Sequence, residues 1–374
     1  MPKPFNPPPR ILLGPGPSNV DARVTRAMTA PVLGYLDPVY LECLNEIQEQ
    51  LRTVFETRNE ATLALAGTGG AGMEACLANL IEDGEEIIVG VNGFFGQRLA
   101  DLAERWGARV IHVEAEWGQP LDMNKMHEAF RKSGARLIAM VHAETSTGMR
   151  QPIEELKSLR DIRDAVTIVD SVTSLGAIPV GSDRNGIDAS YSCSQKGIGA
   201  PPGLSPVTFS ERAMEKIRRR KTAPRSWYLD IQLIHKYWSS ERVYHHTSPA
   251  SMNYALREAL AMILEEGLQS RWERHRTNSE SFVAGIEAMG LEMLVAPEHR
   301  LWTLNTVRIP AGIDDAIVRK RLLEEYNIEI GAGFGALKGK IWRVGLMGSG
   351  STQNNVMLLL AALGRVLEQE GFSV

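Results

Sequence analysis

The sequence lacks several features that mark particular classes of protein. Its three cysteines, Cys43, Cys76 and Cys193, are odd in number and have the spacing of neither a disulfide framework nor a metal site, which predicts reduced thiols in a cytoplasmic protein. No stretch approaches the roughly 18 consecutive apolar residues of a membrane span, so we expect no membrane association. The proline-rich residues 1–9 are unlike a signal peptide, and the C-terminal residues are not a peroxisomal address.

An excess of one charge is also missing. The chain has 41 lysine and arginine residues against 45 aspartate and glutamate residues, a net charge of −4, which argues against a nucleic-acid partner. One short basic run, residues 218–221, is more typical of a solvated helix end than of a phosphate-binding surface. What the chain does have is length and apolar content. Its 374 residues, 44% of them hydrophobic, are enough for about two domains with sizeable cores.

Apolar strands alternate with helical patterns from residue 61 to about residue 193. The predicted strands are 62–66, 86–91, 109–113, 137–141, 166–169 and 189–193. This alternation predicts an α/β fold with a mostly parallel sheet that is covered by helices on both faces. Ligands of such sheets bind beyond the carboxyl ends of the strands, so we expect the functional residues there.

The two ends of the chain have different patterns. Residues 1–21 contain seven prolines and predict an extended arm. A long helical stretch spans 254–289. The pattern after it alternates strands and helices at 303–309, 316–325, 328–330, 341–345 and 356–370. We therefore expect an arm (1–21), a large domain (22–267) and a smaller C-terminal α+β domain (268–374).

An aspartate and a lysine follow two neighbouring strands of the predicted sheet. Asp170 ends the apolar run 166–169, and Lys196 lies in a Ser/Gly-rich turn after the next strand. Taken singly, the first would be typical of a helix cap or turn and the second of a solvated lysine. Pyridoxal phosphate needs a lysine amine for its Schiff base and an acid against its pyridine nitrogen. The pair at these strand ends therefore predicts a pyridoxal-phosphate site.

The Gly-rich turn 67–72 follows a strand and opens a helix, which suits phosphate binding. Glycines let the backbone approach a phosphate, the helix N-terminus supplies amides, and Thr68 adds a hydroxyl. A plain tight turn is one alternative. Another is a dinucleotide site, since the letters also satisfy G-x-G-x-x-G and Glu86 stands about where a ribose-binding acid belongs. An NAD-dependent oxidoreductase therefore stays open at this point.

Other candidates have a structural explanation beside the functional one. Phe94 and Phe95, flanked by glycines, suit a flat ligand but also core packing. The hydroxyls of 142–148 could bind a ring oxygen, although an ordinary Ser/Thr turn is favoured. Arg343 inside the apolar run 341–345 needs a partner, either a substrate carboxylate or a structural salt bridge. The adjacent histidines of 244–247 have no third ligand nearby, so we predict no metal site.

Taken together, these segments resemble the class V aminotransferases of fold type I, and most of all the alanine–glyoxylate / serine–pyruvate group within that family. The likeness runs over essentially the whole chain. The matching segments are 14–19, 92–98, 144–148, 169–172, 194–196, 200–203, 244–247 and 342–345.

The resemblance implies roles for the residues that bind pyridoxal phosphate. Lys196 forms the internal aldimine and moves the proton, and Asp170 pairs with the pyridine nitrogen. The remaining cofactor contacts are Thr68, Gly69 and Gln195 at the phosphate, Phe95 stacked on the ring, Thr145 at the phenolic oxygen, and Gly70. Phe95 replaces a tryptophan frequent in the family, and Gly70 stands where relatives often carry a polar side chain.

The resemblance also implies substrate and subunit contacts. Arg343 binds the substrate carboxylate, while Tyr244 and Thr247 reach the phosphate of a neighbouring subunit, so a homodimer shares its active sites. The implied reaction is a ping-pong transfer of an amino group from alanine or serine to glyoxylate or pyruvate.

Four alternatives remain at this stage. The nearest is ureidoglycine–glyoxylate aminotransferase, whose members tend to have Asn where this chain has Tyr244 and Gln where it has Tyr35. Both differences favour a small, plain amino donor here. A cysteine desulfurase would need a cysteine in a mobile loop of the small domain, and a non-catalytic pyridoxal-phosphate regulator would need a DNA-binding module. The NAD-dependent oxidoreductase leaves Asp170, Lys196 and Arg343 without a role.

Overall fold

The computed structural model describes residues 3–373, which form 14 strands and 13 α-helices. The strands are β1 (Ile11–Leu12), β2 (Ala61–Ala66), β3 (Glu86–Val91), β4 (Arg109–Glu114), β5 (Leu137–Val141), β6 (Ala143–Glu144), β7 (Met149–Arg150), β8 (Val166–Asp170), β9 (Ala189–Tyr191), β10 (Leu204–Phe209), β11 (Leu304–Arg308), β12 (Ile328–Glu329), β13 (Gly331–Ala332) and β14 (Ile341–Gly345). The helices are α1 (Ala22–Ala27), α2 (Pro38–Phe55), α3 (Gly69–Leu80), α4 (Phe94–Arg105), α5 (Met123–Lys132), α6 (Leu156–Asp161), α7 (Ser182–Asn185), α8 (Glu211–Arg218), α9 (Ile231–Trp238), α10 (Ala250–Glu266), α11 (Leu268–Ala288), α12 (Asp315–Tyr326) and α13 (Gln353–Gln369).

The main sheet has seven strands in the order β2-β10-β9-β8-β5-β3-β4, all parallel except β10. The predicted α/β class with a mostly parallel sheet is confirmed. Buried β-branched and aliphatic runs such as β5 and β8 form its centre, because strands covered on both faces need apolar side chains on both. The carboxyl ends of β2, β5 and β8 consequently meet at one edge of the sheet.

Strand β10 was not predicted, and its sequence explains why. It lies between β2 and β9 and is antiparallel to both. Pro206 sits in its interior opposite Ala64, although proline lacks the N–H that a central strand normally donates. The Pro206 carbonyl still accepts a hydrogen bond from the Ser192 amide at 2.8 Å, which keeps the ladder attached to the chain that leads to Lys196.

A second, smaller hydrophobic core lies around the antiparallel sheet β11-β14-β13 and helices α11, α12 and α13. The helical pattern predicted over 254–289 is in fact two helices, since Gly267 with φ 82° ends α10 before α11 begins. The larger core ends along the chain at Ile263 and the smaller one resumes at Phe282. The division at residue 268 stays a prediction.

The N-terminal arm, which the prolines predict to be extended, contains the short strand β1. Strand β1 pairs in parallel with β12 of the smaller unit, and Leu13 is fully buried in the smaller core. The arm then crosses to the main sheet, where the Ser18 amide donates to the Gln195 carbonyl at 2.8 Å. This segment therefore ties the smaller unit to the turn that carries Lys196.

Residues 3–373 contain neither a helix that could span a membrane nor a cluster of metal-binding side chains. None of the helices there combines the length and the apolar character that crossing a bilayer requires. In the same residues, no three histidine, cysteine or acidic side chains come together as a metal site would need. All three cysteines are free thiols.

Candidate active site

A cavity of about 180 Å³ opens where the carboxyl ends of the main-sheet strands meet. The strand-end argument from the sequence predicted this location. Eight of the predicted site residues line the cavity, namely Thr68, Gly69, Gly70, Phe95, Thr145, Asp170, Gln195 and Lys196. They come from five separate stretches of chain, which the sheet topology brings together.

Asp170 ends strand β8 and is only 2% exposed. Its carboxylate accepts hydrogen bonds from the Tyr191 hydroxyl and the Val172 amide, both at 2.8 Å. Burial raises the pKa of Asp170 to about 7, and the two hydrogen bonds oppose that shift. A protonated ring nitrogen beside this carboxylate would favour its ionised form. Sequence reasoning missed Tyr191, which β-sheet register places directly opposite Asp170.

Lys196 lies in the turn after β9 with its side chain reaching toward the N-terminal arm. Its Nζ donates a hydrogen bond to the Pro15 carbonyl. A Cβ at Gly16, where φ is +121°, would overlap the lysine amine, so only glycine allows the arm to pass this close. Burial lowers the pKa of Lys196, which increases the fraction of neutral amine near pH 7.

The start of helix α3 is suited to a phosphate. Thr68 is the N-cap residue, yet its hydroxyl makes no capping hydrogen bond. The Ala71 amide donates to the Thr68 carbonyl at 2.8 Å, which leaves the Gly69 and Gly70 amides at the helix start for a ligand. A Cβ at Gly69 would stand 3.2 Å from both Cys193 Cβ and Val172 Cγ2, so a larger residue would crowd the cradle. The Gln195 side-chain oxygen is buried with no hydrogen-bond partner. These unused polar groups fit a phosphorylated cofactor.

Glu144 organises the wall opposite that cradle, a role that sequence reasoning did not assign. Its fully buried carboxylate accepts from the Phe95 and Gly96 amides, each at 3.1 Å, and from the Ser146 hydroxyl at 2.6 Å. Burial raises the pKa of Glu144, while these donors oppose the shift. The carboxylate thereby joins the start of helix α4, which carries Phe95, to the loop that carries Thr145. Phe95 lies in the first turn of that helix rather than in a loop.

Arg343 in strand β14 is a guanidinium that is only 3% exposed. Its Nε donates to the Ala332 carbonyl at 2.6 Å and its Nη1 to the Thr145 carbonyl at 3.2 Å. No carboxylate within residues 3–373 forms an ion pair with it, so the structural salt bridge considered from the sequence is wrong. Burial lowers the pKa of Arg343 to about 10, and the Phe334 ring covers its guanidinium at 3.9 Å. Donors on Nη1 and Nη2 remain for an external carboxylate.

Comparison with known proteins decides the family. The sequence profile described as aminotransferase class V matches residues 39–352. This chain is a class V aminotransferase. Its cofactor is therefore pyridoxal phosphate, and the Thr68 hydroxyl without a capping bond, the buried Asp170 carboxylate and the Lys196 amine suit that group.

Individual relatives match this class V aminotransferase over nearly its whole length. Alanine–glyoxylate aminotransferase of Drosophila melanogaster is 40% identical, with 100% of this chain and 96% of the relative covered. The crystal structure of alanine–glyoxylate aminotransferase from Nostoc sp. has a TM-score of 0.97 at 48% identity, covering 98% and 97%. That of ureidoglycine–glyoxylate aminotransferase from Bacillus subtilis also has a TM-score of 0.97, at 40% identity, covering 98% and 95%.

The dinucleotide alternative is wrong for this aminotransferase, and the fold gives a physical reason. Glu86 is the first residue of β3 and so lies at the amino end of its strand. The Gly-rich turn follows the carboxyl end of β2, and β2 and β3 run in the same direction, so the two lie at opposite ends of the strands. A six-residue strand spans about 20 Å. Glu86 instead accepts a hydrogen bond from the Gly134 amide at 2.7 Å and pairs with Arg109 at 3.5 Å.

Two predicted cofactor residues of the aminotransferase do not line the cavity. Tyr244 is 54% exposed, with its ring centroid 4.8 Å from that of Tyr35, and Thr247 is exposed as well. The prediction for both was contact with a neighbouring subunit. It stays a prediction.

Proposed function

We propose that this protein transfers an amino group from alanine or serine to glyoxylate, or alternatively to pyruvate, with pyridoxal phosphate as cofactor. The observation that carries the proposal is the grouping of Asp170, Lys196 and Arg343 around one cavity. Asp170 and Lys196 face into it, and Arg343 is bonded to the carbonyl of its wall residue Thr145. A buried acid, a buried amine and a guanidinium without a counter-charge are what an amino-acid substrate and this cofactor require.

Each residue has a distinct task in this proposal. Bound pyridoxal phosphate supplies the electron sink of the reaction. The Asp170 carboxylate holds a proton on the pyridine nitrogen, and the Lys196 amine takes the α-proton of the substrate as general base. The lowered pKa of Lys196 helps, because the neutral amine is the form that accepts a proton.

Arg343 would fix the substrate by its carboxylate. A guanidinium binds a carboxylate through two parallel N–H donors, and Nη1 and Nη2 still have such donors. This grip orients the α-carbon toward Lys196 and serves both half-reactions, since amino acids and 2-oxo acids share the carboxylate. Ping-pong kinetics follow from that shared site.

We also propose a homodimer that shares its active sites. An exposed apolar surface is formed by two neighbouring segments, 32–39 and 227–244. Its large exposed side chains are Val32, Leu36, Val39, Trp227, Tyr228, Val243 and Tyr244. Contiguous apolar surface of this kind is typical of protein interfaces. A second copy of the chain covering it would put Tyr244 and Thr247 within a protein interior, as their predicted contact requires.

Ureidoglycine is the second candidate donor, because the Bacillus subtilis relative named for it aligns as fully as the others. Tyr35 and Tyr244, whose rings are 4.8 Å apart, occupy the two positions where that group tends to have Gln and Asn. Two aromatic faces offer few hydrogen bonds to a ureido group. The pair therefore supports alanine or serine as the donor.

The deciding experiment is the absorbance spectrum of the purified protein with pyridoxal phosphate, recorded before and after each donor. We expect alanine or serine to convert the bound cofactor to its amine form, and glyoxylate to restore the first spectrum with release of glycine. Lys196→Ala should abolish both changes, whereas Lys125→Ala, at an exposed lysine, should leave them intact. Conversion by ureidoglycine alone would favour the second candidate, and no bound cofactor at all would contradict the proposal.

A further inference from the structure

Arg271 on helix α11 lies outside the cavity, yet its guanidinium is bonded on all three nitrogens. The residue is 5% exposed. Its Nε donates to the Gly176 carbonyl at 2.6 Å, its Nη2 to the Gly197 carbonyl at 2.8 Å, and its Nη1 to the Glu266 carboxylate at 2.8 Å. Burying an arginine is expensive, so this site is built for these partners.

The two carbonyls belong to the two loops that carry the proposed chemistry. Gly176 is in loop 171–178, which follows Asp170, and Gly197 is the residue after Lys196. We propose that Arg271 is a positioning residue that locks these two loops together and so sets the Lys196 amine relative to the Asp170 carboxylate. The inference rests on the proposed function, because it assigns the reaction to those two groups.

The two loops approach each other closely at Gly197, which has no side chain. A Cβ at Gly197 would stand 2.5 Å from the Leu175 carbonyl oxygen and 2.9 Å from Ala177 Cβ. The Gly176 and Gly197 carbonyls both point at one guanidinium, and a cation that donates hydrogen bonds to both oxygens stabilises the close approach of the two backbones. Arg271 supplies that cation, since burial lowers its pKa only to about 10.

The other carbonyls of the Lys196 turn are held from a second side. Ser18 of the N-terminal arm donates its amide to the Gln195 carbonyl at 2.8 Å and its hydroxyl to the Lys196 carbonyl at 2.9 Å. Three consecutive carbonyls, those of residues 195–197, are therefore fixed by groups from outside the turn. Ser18, which precedes the Lys196 turn in the sequence, and Arg271, which follows it, both hold that turn.

Arg274 provides a matched control one helical turn further along α11. It shares Glu266 with Arg271, its Nε donating to that carboxylate at 2.6 Å. Its Nη1, however, donates to the carbonyls of Gly348 at 3.2 Å and Ser351 at 2.6 Å, which belong to neither loop. A change at Arg274 thus disturbs the same ion pair while the Gly176 and Gly197 carbonyls keep their bonds to Arg271.

The test compares Arg271→Lys with Arg274→Lys in the holoenzyme and in the apoprotein. Lysine keeps the charge but has no planar fork to reach two carbonyls and a carboxylate at once. We expect Arg271→Lys to lower kcat for alanine about 10-fold or more with KM changed less than about threefold, because misplacement of reacting groups by ångströms acts on the chemical step. Arg274→Lys should change both constants less than about twofold.

A second readout does not need the cofactor. The rate at which an amine-reactive reagent modifies Lys196 in the apoprotein, followed by mass spectrometry across pH, reports the environment of that amine. We expect Arg271→Lys to shift the pH midpoint of this reaction, and Arg274→Lys to leave it at the wild-type value. A folded Arg271→Lys protein with wild-type kcat and an unshifted midpoint would overturn the inference, and so would equal shifts in both variants.

Ser18→Ala covers the case in which Arg271→Lys fails to fold. It removes the hydroxyl that holds the Lys196 carbonyl and should move kcat and the reactivity midpoint in the same direction by a smaller amount, about threefold in kcat. Unchanged values in folded Ser18→Ala would contradict a turn held in this way. Failure of the proposed function is separable, since it would show as a wild-type holoenzyme without transamination while the Lys196 reactivity of the apoprotein could still be measured.

Discussion

Arg271 and Arg343, two arginines of the active-site region, are about equally buried but differ in whether a carboxylate pairs with them. Arg271 has a carboxylate, that of Glu266, and two carbonyls, so its charge and its donors are satisfied by the chain itself. Arg343 has two carbonyls and an aromatic ring, and no carboxylate among residues 3–373. A buried charge costs free energy unless it is paired. The difference therefore separates an arginine that holds the protein from one that is kept for a ligand.

The same contrast distinguishes the acids of the cavity. Glu144 accepts hydrogen bonds from three residues and fixes a helix start. Asp170 accepts two and has a pKa near 7, so its ionisation depends on what is placed beside it. Groups whose bonding capacity is filled by the fold maintain shape. Groups with capacity left over, such as Asp170 and Arg343, are where a cofactor and a substrate complete the set.

The largest effect is expected for Arg343→Leu. Two charge-assisted hydrogen bonds to the substrate carboxylate, each worth about 1.5–3 kcal/mol, would be lost, so kcat/KM for alanine should fall by at least about 100-fold. The urea midpoint of the apoprotein should stay close to that of the wild type, because the variant removes an unpaired buried charge. Steady-state kinetics and urea unfolding test this. A large loss of stability with activity retained would reverse the assignment.

Arg271→Leu should have the opposite balance between stability and activity. The variant leaves the Gly176 and Gly197 carbonyls without their donor, at about 1–3 kcal/mol for each buried group, whereas the half-buried Glu266 keeps Arg274, so we expect a loss of about 3 kcal/mol. Urea unfolding of the apoprotein measures the change. Arg276→Leu on the same helix is the control, since Arg276 pairs with Glu273 on the surface and its loss should leave the unfolding curve essentially unchanged.

Asp170 should make the stability of the apoprotein depend on pH. Its pKa is about 7 in the folded chain against 3.8 as the reference for the unfolded one, so the folded chain binds more protons between those values. The contribution of this group to stability consequently falls as pH rises from about 4 through 7. Urea midpoints at pH 5 and pH 8 should differ more in the wild type than in Asp170→Asn. Equal differences in the two proteins would contradict the raised pKa.

Phe334→Ala should produce the smallest effect, on substrate binding alone. The ring covers the Arg343 guanidinium at 3.9 Å, and a cation–π contact of this kind is worth about 1 kcal/mol, or roughly fivefold. We expect KM for alanine to rise by about that factor with kcat retained. Phe5→Ala, at an exposed phenylalanine, is the control. A kcat effect larger than the KM effect would show that Phe334 acts on more than carboxylate binding.

Much of the fold could be predicted because the local sequence pattern of most main-sheet strands marks where they begin and end. The bounds of β3, β5 and β14 agree with those predicted, as apolar β-branched runs between polar residues leave little choice of register. Strand β10 was missed because Pro206 is unfavourable in a strand when its neighbours are unknown. Its place between β2 and β9 depends on contacts between segments that are distant in the sequence. The stretch 254–289 was predicted as one helix because only a single residue, Gly267, interrupts its helical pattern.

The site follows the same division. Asp170 and Lys196 could be singled out from the sequence, because strand-end chemistry depends on topology that alternation predicts. Tyr191, Glu144 and Arg271 could not. Each acts through hydrogen bonds to other segments of the chain, and a tyrosine or a glutamate in a strand or an arginine in a helix gives no local sign of such a partner.

The pairing of β1 with β12 has a consequence for how the chain is made. Ile11, Leu12 and Leu13 leave the ribosome first, whereas Ile328 and Glu329, their partners, emerge more than 300 residues later. The part of the smaller core around Leu13 therefore cannot close during synthesis until β12 has met β1. A fragment beginning at residue 268 would lack β1 and the Leu13 side chain, and would leave the edge of β12 unpaired.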